Sequence, residues 1–243
     1  FYYLSRYLSD EFDVGFIVGD YGQPKQEHRE GVTLYRSYTP NPAANRTERI
    51  EQAVRFADAV ARADASGYVV EGRPAKLLFL APIISAQGGE VVYQIASDEH
   101  VEARCGGLGD ASLSAVRLLL QRLAGVVTQT EYQRDTMQTF HGVDSTMIPN
   151  GYPPADTIPP HEGREYFLWV GRLEERLKRP HLYLDLAEQV PEAGFHIAGP
   201  KEGEQYGAAV IDRAADLDNV TYLGSVTPNE IHQHYQQAIA LVN

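Results

Sequence analysis

The segment Gly171-Arg172-Leu173-Glu174-Glu175-Arg176-Leu177-Lys178-Arg179-Pro180 holds the densest chemistry in the chain. It follows an apolar run, Tyr166 to Val170, that reads as a strand, and it leads into a helical pattern from Pro180 to Gln189. In open α/β sheets ligands bind at the carboxyl ends of strands. A helix N-terminus adds unpaired backbone N–H groups and a positive dipole end, both suited to phosphate. Gly171 lets the backbone turn and approach a ligand closely. Arg172 can fork onto phosphate oxygens and Lys178 supplies a point charge. Each charge-assisted hydrogen bond contributes about 1.5–3 kcal/mol, so two such cations would hold a diphosphate. The competing reading is a solvated charged loop in which Glu174 and Glu175 pair with Arg176 and Arg179. On the chemistry of these residues both readings stand.

Such a loop needs a fold to position it. Val14–Val18 and Val32–Tyr35 read as strands. Arg46–Asp64 reads as a helix, because Ile50, Ala53, Val54, Ala57 and Val60 recur at helical spacing behind Asn45 as N-cap. Tyr68–Val70 is then a strand, Ala75–Ser85 a helix, Val91–Ile95 a strand and Asp110–Leu123 a helix. Val126–Thr128 (strand), Glu131–Phe140 (helix) and Thr146–Ile148 (strand) follow. Pro149-Asn150-Gly151 signals a turn, and Pro153, Pro154, Pro159 and Pro160 crowd a stretch that reads as a linker. The alternation restarts with strands Tyr166–Val170, Phe195–Ala198 and Val220–Leu223. Between and after them come helices Pro180–Gln189, Glu204–Leu217 and Pro228–Ala238, the last with Thr227 as cap and Pro228 in its first turn. A further strand begins at Ile239. The pattern predicts an α/β chain of two Rossmann-like domains, residues 1–152 and 165–243, joined by a linker over 153–164. Phe1 to Leu8 reads as the inside of an amphipathic helix, and the chain stops as a new strand opens. It is therefore expected to be a piece of a longer protein, with the first strand of one domain and the remainder of the other outside it.

Composition removes several classes of function. Hydrophobic residues at 43% and charged residues at 22% describe a globular chain rather than a disordered one. A net charge of -12 argues against nucleic acid as partner and against general attraction to anionic lipid. Peripheral contact with a membrane through a local patch stays open. The longest apolar stretch, Leu77 to Ile84, is broken by Pro82 and is too short to span a bilayer. A single Cys105 cannot form an intrachain disulfide, so the expected compartment is the cytoplasm. His28, His141, His161, His181 and His196 have no metal-ligand spacing, and no metal site is expected. No Gly-x-Gly-x-x-Gly follows a predicted strand; Gly106-Gly107-Leu108-Gly109 precedes a helix without a strand directly before it, which disfavours a dehydrogenase.

Larger blocks of sequence carry a resemblance. Glu165-Tyr-Phe-Leu-Trp-Val-Gly171-Arg-Leu, with Lys178 downstream, resembles the GRL…K signature of GT-B fold glycosyltransferases, family 4 in particular. Phe195-His-Ile-Ala-Gly199, Asn219-Val-Thr-Tyr-Leu-Gly224-Ser-Val226, Thr227-Pro-Asn-Glu-Ile and Tyr235 are similar to later segments of that family. Val126-Val-Thr-Gln-Thr130 and Met147-Ile-Pro-Asn-Gly151 look like earlier ones. The match runs from about Val91 onward, and the order and spacing of its pieces are more specific than any one piece.

The resemblance implies a GT-B fold of two Rossmann-like domains, the second incomplete in this chain. It implies transfer of a sugar, with retention, from a nucleotide-diphosphate-sugar co-substrate to a glycan, lipid or small-molecule acceptor, with no cofactor. Arg172 and Lys178 would bind the donor's diphosphate and stabilise the charge that builds on the leaving nucleotide. Lys178 lies one residue further from Gly171 than in the commonest form of the motif, so Arg176 competes for the second cationic role. Lys178, directly before the helix, is preferred. Gly171, Gly199, Pro200, Ser225 and Val226 would border the donor. Asn150 would sit at the hinge, although a structural turn explains it better. The family places a His or Asp near the sugar after the strand equivalent to Val91–Ile95, which points to Asp98 and His100. Asp98 reads as readily as a helix cap, and His100 as a surface residue. The family's Glu-rich segment falls after Ile239, beyond this chain, so the piece is expected to be nearly inactive alone. Two alternatives remain: a nucleotide-sugar 2-epimerase relative, and a non-catalytic nucleotide-sugar-binding or assembly subunit.

Overall fold

The computed structural model describes residue 5 and residues 7–41, 43–151, 160–201 and 204–242. Most of the helix expected at the front, and Pro153, Pro154 and Pro159 of the expected linker, lie outside them. Contacts divide the chain into two units, residues 1–153 and 154–243.

The first unit holds two sheets. In the smaller, β1 (Gly15–Val18) runs parallel to β3 (Val32–Arg36), and β2 (Gln26–Arg29) pairs antiparallel with β3. Glu30 and Gly31 join β2 to β3 with φ of 52° and 83°, the two left-handed positions of a tight hairpin turn. The sequence reading missed β2 because Gln-Glu-His-Arg has none of the branched or aromatic residues that mark strands. The larger sheet is parallel throughout: β4 (Gly67–Glu71), β5 (Glu90–Gln94), β6 (Gly125–Thr128) and β7 (Thr146–Met147) lie side by side in chain order.

Helices α1 (Arg46–Ala63), α2 (Leu77–Ala86), α3 (Asp110–Leu120) and α4 (Glu131–His141) pack on this unit's sheets. Asn45 caps α1 as expected, in a capping box with Glu48. The helix predicted from Ala75 divides instead into a 3-10 turn, Pro74–Lys76, and then α2. Phe56 and Val60 of α1, Leu77, Ala81 and Ile84 of α2, Val116 and Leu120 of α3 and Met137 of α4 bury against Val70, Val91, Tyr93 and Val126 of the sheet. Each fully buried aliphatic side chain there stabilises the fold by about 1.5–3 kcal/mol.

The second unit is one parallel sheet in the order β10-β9-β8-β11 (Val220–Gly224, Gly194–Ala198, Tyr166–Val170, Ala238–Leu241). Helices α5 (Pro180–Gln189), α6 (Glu204–Ala215) and α7 (Pro228–Gln237) connect the strands. Strand alternation splits the core in two. Phe167, Trp169, Phe195 and Ile197 pack with α5 and α6 through Tyr183, Leu184, Ala187, Val210 and Ala214. Tyr166, Leu168 and Ala238 form the other face with Tyr235 of α7. Both faces are thus covered, as in a doubly wound sheet. The order reverses at β8: β9 and β10 were added on one side and β11 on the other. That reversal is the topological switch point, the place where open α/β sheets hold ligands.

Candidate functional site

Three loops meet at the carboxyl edge of the second sheet. Gly171, directly after β8, donates its N–H to the Ala198 carbonyl at 3.0 Å, and Leu173 donates to the Pro200 carbonyl at 3.0 Å. Gly199, after β9, donates to the Gly224 carbonyl at 2.8 Å, and the Tyr222 hydroxyl donates to the Gly199 carbonyl at 2.9 Å. The loops after β8, β9 and β10 are therefore laced together. They gather Gly171, Arg172, Gly199, Pro200, Ser225 and Val226, which are dispersed along the chain, at one edge.

The glycines are demanded by this packing. Gly199 has φ 149°, and a Cβ built on it would stand 1.6 Å from the Gly171 carbonyl oxygen. A Cβ on Gly171 would meet the Trp169 ring at 2.9 Å. Leu173, fully buried, pins the first arm of the loop down. From Glu175 to Arg179 every residue is exposed, Arg176 and Lys178 included, and so is Arg172 on the first arm.

In the loop ahead of α5 three backbone N–H groups are already taken. The Glu174 carboxylate accepts hydrogen bonds from the N–H of Arg176 at 2.8 Å, of Leu177 at 2.8 Å and of Lys178 at 3.3 Å. The N–H groups of Leu177 and Arg176, more than the charge of Arg172, hold its carboxyl below the usual carboxylate range. The competing reading, in which Glu174 and Glu175 pair with Arg176 and Arg179, gives way at Glu174 to bonds with the backbone. Arg179 takes a left-handed conformation, φ 48°, at the cap position of α5, and its Nε–H donates to the Arg176 carbonyl at 3.2 Å rather than capping the helix.

The remaining candidates, Asp98, His100 and Asn150, belong to the first unit, and Asp98 and Asn150 share a network at the carboxyl ends of β5 and β6. Asn150 Nδ2 donates to Gln129 Oε1 at 2.9 Å, and Gln129 Nε2 donates to the Ile95 carbonyl at 2.9 Å. The Gln129 N–H donates to Gln133 Oε1 at 2.9 Å, while Gln133 Nε2 donates to Asp98 Oδ1 at 2.8 Å. Ser97, not Asp98, takes the cap position of the 3-10 turn Asp98–His100, and the Asp98 carboxylate is held by Gln133 instead. His100 is a correction too: it is buried, not a surface residue. Its Nδ1 has no hydrogen-bond partner. Burial pushes its pKa down; Glu99 opposes this, and Arg73 and Lys76 reinforce it, so the ring is neutral near pH 7.

Sequence reasoning passed over Gln133 and gave Glu174 only a surface role. The signal for Gln133 was present: Thr130-x-x-Gln133 has capping-box spacing, and Thr130 Oγ1 does accept the Gln133 N–H at 3.1 Å. Among the described residues no three His, Cys, Asp or Glu side chains group as metal ligands, and no helix is long and apolar enough to cross a membrane.

No protein-family model matches this chain, and no curated protein does. Solved structures match its shape. A trehalose-6-phosphate synthase superposes with TM-score 0.64 at 12% identity, over 97% of this chain and 72% of that one. The chain has the GT-B fold. A Staphylococcus aureus TarM variant, solved with Fondaparinux, alpha-GlcNAc-glycerol and UDP, gives TM-score 0.58 at 17% identity over 78% of this chain. The chain spans only 39% of TarM's length. A Listeria monocytogenes protein described as a UDP-N-acetylglucosamine 2-epimerase shares the GT-B fold with TM-score 0.53 at 11% identity, over 86% of this chain and 59% of that one.

Proposed function

We propose that this GT-B chain is part of a retaining glycosyltransferase of the family 4 kind, which moves a sugar from a nucleotide-diphosphate donor to a glycan, lipid or small-molecule acceptor in the cytoplasm. The observation that carries the reading is the laced loop cluster at the switch point of the second sheet, with Arg172 and Lys178 exposed on the loop after β8. The cations would grip the diphosphate. As the bond from the sugar's anomeric carbon to the diphosphate oxygen breaks, the electron pair stays on that oxygen. Arg172 and Lys178 then stabilise the growing charge, a contribution of about 10²–10³ in rate for one such donor. Gly199, Pro200, Ser225 and Val226 would flank the nucleoside. In the first unit, Asp98 and neutral His100 would serve the sugar as hydrogen-bonding groups, with Asn150 held near them by Gln129. No cofactor or metal is required by this chemistry.

A fold shared with a protein described as a 2-epimerase supports a second reading, a nucleotide-sugar-processing relative. Product analysis separates them: transfer yields a glycosylated acceptor, epimerisation an altered free sugar. Binding tests the clamp itself. UDP, GDP or ADP is expected to bind at least about tenfold more tightly than its monophosphate, a gap of about 1.4 kcal/mol. Arg172→Ala and Lys178→Ala should each close that gap while leaving the thermal midpoint in place. A diphosphate preference that survives both substitutions would remove the clamp; binding of a partner protein by the doubly substituted chain, without any nucleotide preference in the parent, would favour a scaffold.

A further inference from the structure

We propose that Glu174 is a positioning residue that sets Lys178 against Arg172 for the two phosphates of a nucleoside diphosphate, an inference that rests on the donor-site reading above. One residue ties the whole loop together. Its N–H donates to the Arg172 carbonyl at 2.7 Å, and its own carbonyl accepts the Arg179 N–H at 2.9 Å. Its carboxylate accepts the N–H groups of Arg176, Leu177 and Lys178. Both flanks of the cationic pair are thus fastened to Glu174.

The two arms of the loop differ in what else holds them. The arm with Arg172 is anchored by buried Leu173, whose N–H donates to the Pro200 carbonyl and which bridges Lys201. The arm with Lys178 has no core anchor: residues 175–179 are all exposed, and Leu177 keeps 68% of its surface in solvent. Between Leu173 and buried Pro180 the Glu174 carboxylate makes three of the arm's hydrogen bonds, beside the Arg179 Nε–H bond to the Arg176 carbonyl at 3.2 Å. Because the carboxylate already occupies three N–H groups of the loop, the loop meets a diphosphate through its cationic side chains, and their separation becomes a recognition element.

A carboxylate in such a nest has two opposite consequences for an incoming anion. It repels the ligand and competes for the N–H groups, or it orders the arm that carries the ligand's cation. The geometry favours ordering, since the carboxylate gathers three successive N–H groups of the arm and so lies beneath the backbone that presents Lys178.

Isothermal titration with UDP and UMP on the parent chain, Glu174→Ala, Glu174→Gln, Lys178→Ala and the Glu174→Ala/Lys178→Ala pair tests the proposal. Glu174→Ala should weaken UDP about tenfold and leave UMP unchanged, and Glu174→Gln, whose amide oxygen still accepts N–H bonds, should recover part of the loss. In the Lys178→Ala background the Glu174→Ala effect should vanish, because the carboxylate acts through Lys178. Trypsin, with no nucleotide present, should cut faster after Arg176 and Lys178 in Glu174→Ala. Unchanged or tighter UDP binding by Glu174→Ala, or additive losses in the pair, overturns the proposal even when Arg172→Ala abolishes binding. A parent chain that binds UDP no better than UMP overturns the donor-site reading and this proposal with it.

Discussion

Gly199 carries a left-handed-side φ of 149°, and the space its missing side chain leaves is filled by the Gly171 carbonyl. A methyl group there meets backbone, which cannot swing aside as a side chain can. Gly199→Ala should therefore destabilise the second unit by about 3 kcal/mol or more, combining φ strain with a forced separation of two loops. Urea unfolding measures this, and a loss under about 1 kcal/mol would show that the loops are not held so closely. From its residues Gly199 read as a turn glycine with a place near the donor. The reason it must be glycine is a partner far away in sequence, which no local pattern reveals. His100 teaches the same lesson with the opposite error: a histidine in a polar quartet reads as surface, yet the turn Asp98–His100 folds it inward.

At the scale of elements, Asn219 shows what a motif residue does once the strands are in place. Its Nδ2 donates to the carbonyls of Ala187, Val190 and Ala193, at 3.0, 3.1 and 3.1 Å, and so fastens the end of α5 and the turn into β9 to the start of β10. Asn219→Ala removes this shared donor, leaving the Ala187 and Val190 carbonyls only their backbone partners Val190 N–H and Ala193 N–H, and should cost about 1–3 kcal/mol in urea unfolding. Asn219→Asp should cost at least as much, since a carboxylate oxygen accepts and cannot donate. An unchanged midpoint in both would assign the asparagine some other role. The helix ends were legible: Asn45 and Thr227 both cap as read, each with a glutamate closing the box. Strand β2 was not, because an edge strand held by a hairpin turn needs little apolar character of its own.

Across the whole molecule, three histidines share one electrostatic fate. His100, His141 and His196 all have pKa values below the ordinary 6.5, in each case chiefly through burial. For His141, the carbonyls of Val101 and Glu102 oppose the shift and Arg117 adds to it; the Arg117 Nε–H is donated to His141 Nδ1 at 3.3 Å, which suits the neutral ring. For His196, stacked on Tyr166 at 3.6 Å, His234 adds to the shift and Glu165 opposes it. The sign follows from linkage: below about pH 6.5 the unfolded chain binds protons that the folded chain refuses. This contribution is complete above pH 6.5 and is lost as pH falls toward the depressed folded values. Thermal midpoints should therefore drop between pH 7.5 and 5.5, before the carboxylates titrate, with stability falling below pH 6.5 by up to about 1.4 kcal/mol per pH unit for each histidine. A flat profile over that window would mean that the rings charge freely in the fold. Substituting His141 by Gln should remove part of the slope.

What could be read from residues was local. Period, caps and turn chemistry depend on neighbours a few positions apart, and they yielded the α/β alternation, most of the elements and the loop from Gly171 to Lys178. Folding supplied what depends on neighbours far apart. The order β10-β9-β8-β11 puts that loop at the switch point, and the meeting of three strand ends makes Gly199 obligatory. The pairing of Gln133 with Asp98 joins residues on different elements. Glu174 lies between these cases. Its partners are only a few residues away, but whether it pairs with cationic side chains or folds back onto the backbone is settled by Leu173, which anchors one arm of the loop in the core and leaves the other to close around the carboxylate.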